Sequence, residues 1–120
     1  MAKRRSPAAP SKWEQSFAWH WRLRQGPELA AQSRLVPNRD FRFDFAHERT
    51  KVAIEIEGGT WARGAHSRGR GYAEDCEKYN AAAALGWTVF RLTSDMLTRT
   101  HLELVMDAIR VRAKAEEASA

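Results

Sequence analysis

The stretch FRFDFAHERTKVAIEIEGG, residues 41–59, decides the fold class because apolar and polar residues alternate along it. The period of two holds over residues 41–46 and again over residues 51–57, which predicts two β-strands joined by a hairpin loop at residues 47–50. Carboxylates beside apolar surface are costly unless a partner, such as a divalent metal ion, binds them. The two strands nevertheless contain three of them: Asp44, Glu55 and Glu57.

The composition indicates one compact domain with a basic surface. The chain has 120 residues, of which 43% are hydrophobic, and a net charge of +5. It can therefore bury a core, and its charge favours a polyanionic partner, nucleic acid before an anionic membrane surface. A single cysteine, Cys76, allows no internal disulfide and no cysteine-based zinc site. Since neither a signal peptide nor a transmembrane stretch is recognisable, we expect a cytoplasmic protein without a membrane partner.

The other segments predict an α/β fold. Ser11 and Glu14 have the spacing of a helix-capping box, and apolar residues follow at helical intervals: Trp13, Phe17 and Trp21. Gly26-Pro27 ends this helix. The remaining elements are strands at residues 29–36 and 87–92 and helices at residues 73–85 and 95–113. The predicted order is α-β-β-β-α-β-α, with a mixed sheet flanked by helices.

The predicted domain boundaries follow composition. Residues 1–10 are rich in basic residues, proline and alanine, which is typical of a flexible basic arm. Residues 11–113 form the single predicted domain. Residues 114–120, KAEEASA, are predicted to be a frayed tail.

The hairpin register determines whether the three carboxylates can meet. A loop at residues 47–50 places Ala46 opposite Lys51 and Asp44 opposite Ala53. Asp44, Glu55 and Glu57 then project from the same face, with the first two as diagonal neighbours roughly 7 Å apart at Cβ. This spacing suits carboxylates that converge on Mg²⁺. The alternative is a half-solvated sheet with an acidic outer face.

This acidic motif and its setting resemble the PD-(D/E)XK nuclease superfamily. The matching residues are Asp44 and, after ten further residues, Glu55-Ile56-Glu57, on two paired strands within the expected order of elements. The wider string RFDFA…KVAIEIEGGTW…DCEKYNAAAALGWTVFR is similar to small bacterial and phage endonucleases akin to the very-short-patch-repair-like branch. The resemblance covers about residues 11–93. It implies a restriction-endonuclease-like α-β-β-β-α-β core.

The resemblance also implies a metal site. Asp44 matches the metal-bridging aspartate, Glu55 matches the second metal-binding carboxylate, and the backbone carbonyl of Ile56 is a further ligand. The implied cofactor is Mg²⁺, for which Mn²⁺ is expected to substitute. The implied activity is hydrolysis of phosphodiester bonds in DNA by an endonuclease, in phage or bacterial DNA repair, recombination or processing.

The identity of the general base stays open. Glu57 occupies the position at which most superfamily members carry lysine, so it either orients the attacking water or only binds metal. Lys78 is a candidate for a displaced lysine, although it is also spaced to pair with Asp75 on a solvated helix face. Glu14 matches a glutamate often found on the first helix of the family, a role that competes with the capping box.

The glycine-rich segment after Glu57 is basic. Its candidate nucleic-acid-binding residues, which we expect to contact phosphates, are Arg63, His66, Arg68 and Arg70. The alternative is a solvated loop without a ligand. A chain of this size would cut both DNA strands as a homodimer. The rival function is a non-catalytic module of the same fold that binds nucleic acid or protein. Glu57, at the position where most superfamily members carry lysine, is the feature that favours it.

Overall fold

Helices pack on both faces of a small mixed sheet, in the order predicted from the sequence. The structure, a computed structural model, describes residues 9–58 and 70–119. The elements within this part of the chain are α1 (Lys12–Leu23), β1 (Ala30–Arg34), β2 (Arg42–His47), β3 (Val52–Ile56), α2 (Arg70–Ala84), β4 (Thr88–Leu92), a 3₁₀ helix (Ser94–Met96) and α3 (Arg99–Ser119). The predicted α/β class with a mixed sheet is therefore confirmed.

The first helix begins at the predicted cap. The hydroxyl of Ser11 accepts a hydrogen bond of 3.1 Å from the backbone N–H of Glu14, which satisfies one of the free donors of the first turn. Phe17 and Trp21 are buried one turn apart on the inner side of α1. Beyond the helix, the indole Nε1 of Trp21 donates to the carbonyl of Pro27 at 2.7 Å, which anchors the connection to β1.

Gly26 lies where no side chain fits, so we expect Gly26→Ala to destabilise the fold by about 1–3 kcal/mol through overpacking. An added Cβ would lie 2.5 Å from Nε1 of Trp21 and 2.8 Å from the terminal methyl of Met106. Chemical denaturation measures the effect. Gly58→Ala is the matched control, because its Cβ would meet nothing within 4 Å. Equal stability of the two variants would contradict the packing described for Trp21.

The four strands lie in the order β1-β2-β3-β4. The first three are antiparallel neighbours, whereas β4 pairs parallel to β3 after the crossover through α2. The parallel register places Arg91 beside Glu55. This placement matters for the site described below.

The core has two layers, one on each face of the sheet. One cluster joins α1 and α3 to the sheet and contains Phe17, Trp21, Val52, Ile54, Leu92, Leu102, Val105, Met106 and Ile109. The other lies under α2 and contains Leu35, Phe43, Ala46, Ala53 and Ala82. Full burial of a large apolar side chain stabilises a fold by about 1.5–3 kcal/mol, so the first cluster dominates. Within the described residues, no helix is long and apolar enough to cross a membrane.

Two details of the prediction are wrong. The hairpin loop is residues 48–51 instead of 47–50, and Ala46 pairs with Ala53 instead of Lys51. The register is thus shifted by two residues, and if it is extended past Phe45 and Ile54 it places Asp44 opposite Glu55. Because the shift is an even number of residues, the same side chains still share a face. The predicted frayed tail is also helical, since α3 continues to Ser119. Residues 1–8 of the predicted arm lie outside the described residues.

Candidate active site

The hydrogen-bond ladder between β2 and β3 opens at Asp44. Regular pairing reaches Phe45 and Ile54, and beyond it side chains replace the backbone partners. The backbone N–H of Asp44 donates to Oε1 of Glu55 at 2.8 Å. The backbone N–H of Ile56 donates to Oδ2 of Asp44 at 2.7 Å. Each carboxylate is therefore held by the backbone of the strand opposite its own.

The opening coincides with a break in the alternation of β2. Phe45 packs on the α1 side of the sheet, whereas Phe43 is buried under α2. The strict period of two predicted from the sequence would place both phenylalanines on one face, and this part of the prediction is wrong. On β1, Gln32 lies opposite the break and has a φ of 50°, in the left-handed region that non-glycine residues rarely adopt. The irregularities of the two strands therefore lie next to each other, at Asp44 and Gln32.

Lys78 on α2 forms an ion pair with Glu55. Its Nζ lies 2.7 Å from Oε2 of Glu55, and the two side chains are only 16% and 12% exposed. The Tyr79 hydroxyl donates to the same oxygen at 3.1 Å. The ammonium of Lys78 also lies 4.5 Å from the ring centre of Phe43. The displaced-lysine candidate therefore contacts a carboxylate of the site directly.

Glu57 is paired with Arg91. Oε1 of Glu57 lies 2.6 Å from Nε of Arg91, and the guanidinium stacks 4.4 Å from the ring centre of Tyr79. Glu57 is 9% exposed, so its carboxylate needs this cation. Glu57 therefore lies near the two central carboxylates but points into an arginine pair.

Glu14 approaches the opening from α1. Its Oε2 accepts a hydrogen bond of 3.2 Å from the side-chain amide of Gln32, the residue with the unusual backbone conformation. Its charge also contributes to the raised pKa of Asp44, which indicates that the two carboxylates are near each other. The backbone N–H of Glu14 donates to the Ser11 cap, whereas its side chain accepts from Gln32 instead of completing the capping box.

The electrostatics of the site suppress the ionisation of Asp44. Burial raises its pKa from the ordinary value of 3.8 to about 7, with a further contribution from the charge of Glu55. The hydrogen bond from Ile56 and the charge of Lys78 act in the opposite direction but do not compensate. Burial and the charge of Glu55 likewise raise the pKa of Tyr79. A cation bound at the opening would therefore favour the ionised form of Asp44 and lower its pKa.

We tested whether these residues suit a divalent metal ion. No group of three or more His, Cys, Asp or Glu side chains in residues 9–58 and 70–119 is arranged to hold one. Mg²⁺, however, is commonly bound by only one or two carboxylates and keeps several waters. Asp44 and Glu55 supply two carboxylates, and Oδ1 of Asp44 accepts no hydrogen bond from the described residues. The donor set therefore fits a hydrated Mg²⁺ ion.

The raised pKa of Asp44 gives a test by pH in metal-free buffer. An acid with a raised pKa in the folded state contributes stability below its unfolded pKa and loses it as the pH rises through the folded pKa. The pH range over which Asp44 loses this stabilising contribution therefore runs from 3.8 to about 7. We expect Asp44→Asn to match the wild type in acid and to become the more stable protein as the pH rises through this window. Thermal denaturation across that range measures the difference, and a difference independent of pH would contradict the raised pKa.

The four residues expected to bind nucleic acid lie beyond the side chains that the structure describes. Arg63, His66 and Arg68 lie outside the described residues, and Arg70 begins α2 without a described side chain. Sequence reasoning missed two participants, Gln32 and Tyr79. Tyr79 adjoins Lys78 in the chain, which could have indicated it. Arg91 is plausible from the sequence but is equally typical of an ordinary residue at the rim of a strand.

The comparisons with known proteins bear on the fold. Neither a model of a known protein family nor a curated protein matches the sequence. Among solved structures, the fold is similar to that titled "Homing Endonuclease I-Bth0305I Catalytic Domain", with a TM-score of 0.56 and 16% sequence identity. The match covers 86% of this chain and 94% of that domain. The chain therefore has the fold of a nuclease catalytic domain.

Proposed function

We propose that the chain is a Mg²⁺-dependent DNA endonuclease of the PD-(D/E)XK type that hydrolyses phosphodiester bonds. The observation that carries the proposal is the opening between β2 and β3, where Asp44 and Glu55 are held together by opposing backbones. The two carboxylates are close enough for the charge of Glu55 to disfavour ionisation of Asp44, a cost that a bound cation would offset. The fold shared with an endonuclease domain supports the same conclusion.

The metal ligands would be the carboxylates of Asp44 and Glu55 with the backbone carbonyl of Ile56. A bound Mg²⁺ would lower the pKa of a water molecule and stabilise the charge that develops on the scissile phosphate. The chain's own groups prepare this site. Lys78 and Tyr79 fix the orientation of Glu55 through Oε2, while the N–H of Ile56 orients Asp44.

Lys78 would fill the position of the superfamily lysine in space, though not in sequence. Glu57 stands where that lysine is expected and pairs with Arg91. The ammonium of Lys78, 2.7 Å from Glu55, supplies the missing positive charge from α2 instead. It is the group best placed to orient an attacking water or contact the scissile phosphate. Glu14 would complete the acidic rim of the site from α1.

The substrate is proposed from charge and fold together. A net charge of +5 favours DNA, and the arginines of the glycine-rich segment, Arg63, Arg68 and Arg70 with His66, would add phosphate contacts. Mn²⁺ is expected to replace Mg²⁺. Following the resemblance, we assign the activity to DNA repair, recombination or processing in the cytoplasm of bacterial or phage-infected cells, with a homodimer cutting both strands.

The second candidate is a non-catalytic module that binds nucleic acid or protein. The observation that favours it is that position 57 holds a glutamate paired with Arg91, where most catalytic members of the superfamily carry lysine. One experiment separates the two functions. Supercoiled, linear, single-stranded and four-way-junction DNAs are incubated with the protein in Mg²⁺, Mn²⁺ or EDTA. We expect cleavage of at least one DNA that requires the metal. Binding without cleavage in either metal would favour the module.

A further inference from the structure

We infer that Arg91 is a binding site for a backbone phosphate of the DNA strand, oriented for that purpose by Glu57 and Tyr79. This inference rests on the proposed function and extends it to the contact beside the reacting centre. The first observation is position. Arg91 pairs with Glu55 in the parallel register of β3 and β4, and neighbouring residues of paired strands lie on the same face of a sheet, with strands about 4.8 Å apart.

The second observation is how the guanidinium is held. Its Nε is engaged by Glu57 at 2.6 Å, and its plane lies over the ring of Tyr79 at 4.4 Å. Tyr79 is itself fixed by its hydrogen bond to Glu55. These contacts restrict the rotamers of a long side chain before any ligand arrives, which reduces the entropy lost on binding.

The third observation is what remains available. The Arg91 side chain is 48% exposed although its partner Glu57 is 11% exposed. Within the described residues, the two terminal nitrogens of Arg91 have no hydrogen-bond acceptor. A planar guanidinium with two adjacent N–H groups facing solvent matches two oxygens of a phosphate. A strand laid across Asp44 and Glu55 would bring such a phosphate next to Arg91.

The inference gives Glu57 a positioning role and removes it from the metal ligands. If so, Glu57→Gln should bind Mg²⁺ as the wild type does, whereas Asp44→Asn should not. The thermal shift produced by Mg²⁺ reports this without any cleavage. Loss of the shift in Glu57→Gln would return Glu57 to the metal site and overturn this part of the inference.

The phosphate contact is tested by binding to a labelled DNA duplex in EDTA, where metal-dependent cleavage cannot occur. We expect Arg91→Ala to weaken binding roughly tenfold at low salt and to make the slope of log affinity against log salt shallower by about 0.9. Arg91→Lys keeps the charge and should keep the slope. Arg110→Ala, which loses an exposed arginine from its pair with Asp107 on α3, is the matched control and should change neither quantity.

A double variant separates a phosphate contact from simple neutralisation of Glu57. Arg91→Ala combined with Glu57→Gln removes both charges of the pair together, so we expect the fold to be preserved. Weak binding and a shallow slope in this variant support the inference. Recovery of wild-type binding would show that Arg91 only neutralises Glu57, and would overturn it. Absence of duplex binding by the wild type would instead count against the proposed function and remove the basis of the inference.

Discussion

Replacement of Asp44 by asparagine should lower the rate of DNA cleavage by about 10³-fold or more, because a metal ligand contributes several kcal/mol to stabilising the transition state. Glu55→Gln should have an effect of the same order. The fold should survive Asp44→Asn, because the amide still offers an oxygen to the N–H of Ile56. Glu55→Gln also leaves Lys78 without its carboxylate, so a loss of stability is expected there and the variant must be shown to be folded. The measurement is the initial cleavage rate in Mg²⁺ on whichever DNA the wild type cuts.

The control for this prediction is Asp107→Asn. Asp107 is an exposed aspartate, paired with Arg110 on α3 and remote from the opening in the sheet. It should leave the rate unchanged. Binding of DNA by Asp44→Asn in EDTA should equal or exceed that of the wild type, because a carboxylate facing phosphate repels it. Cleavage at the wild-type rate by folded Asp44→Asn would remove the catalytic assignment of this residue.

The second large effect concerns stability. Lys78→Met should lower the free energy of unfolding by about 3 kcal/mol in metal-free buffer, since removing one partner of a buried ion pair leaves an uncompensated charge. Glu55 would then lie 12% exposed beside Asp44 with only neutral donors. Denaturant titration measures the change, and Lys114→Met, on the exposed side of α3, serves as the control.

The double variant Lys78→Met with Glu55→Gln identifies the cause. Without a carboxylate at position 55, no charge is left unpaired, so most of the lost stability should return. A cost of Lys78→Met below about 1 kcal/mol would be typical of a solvent-exposed pair and would contradict the buried contact.

The fold could be predicted because its elements are indicated by local sequence patterns. The period-two alternation in residues 41–57, the cap at Ser11 and the stop at Gly26-Pro27 all act over a few residues, so the sequence displays them directly. The clustering of Asp44, Glu55 and Glu57 on two paired strands was also predictable, because it follows from the alternation and from a short hairpin loop. The end of α3 was missed although the segment AKAEEA consists of strong helix formers, whose propensity outweighs the lack of apolar periodicity.

The geometry of the opening could not be predicted because it depends on contacts between distant segments. The regular spacing of phenylalanines in β2 is typical of an unbroken strand, and nothing local distinguishes Phe43 from Phe45. The break appears only when Gln32 of β1 takes its left-handed conformation opposite Asp44. Lys78 and Arg91 likewise meet the carboxylates through α2 and the parallel register, which join residues 23 and 34 positions apart.

The central claim is that Asp44 and Glu55 together bind a divalent metal ion. Calorimetric titration of the metal-free wild type with Mg²⁺, at a pH about one unit above the Asp44 pKa of about 7, tests it most directly. The account predicts saturable binding that weakens as the pH falls through this pKa, where it should be accompanied by proton release, and that disappears in Asp44→Asn. No saturable binding by the wild type, or equal binding by the folded Asp44→Asn variant, would contradict it.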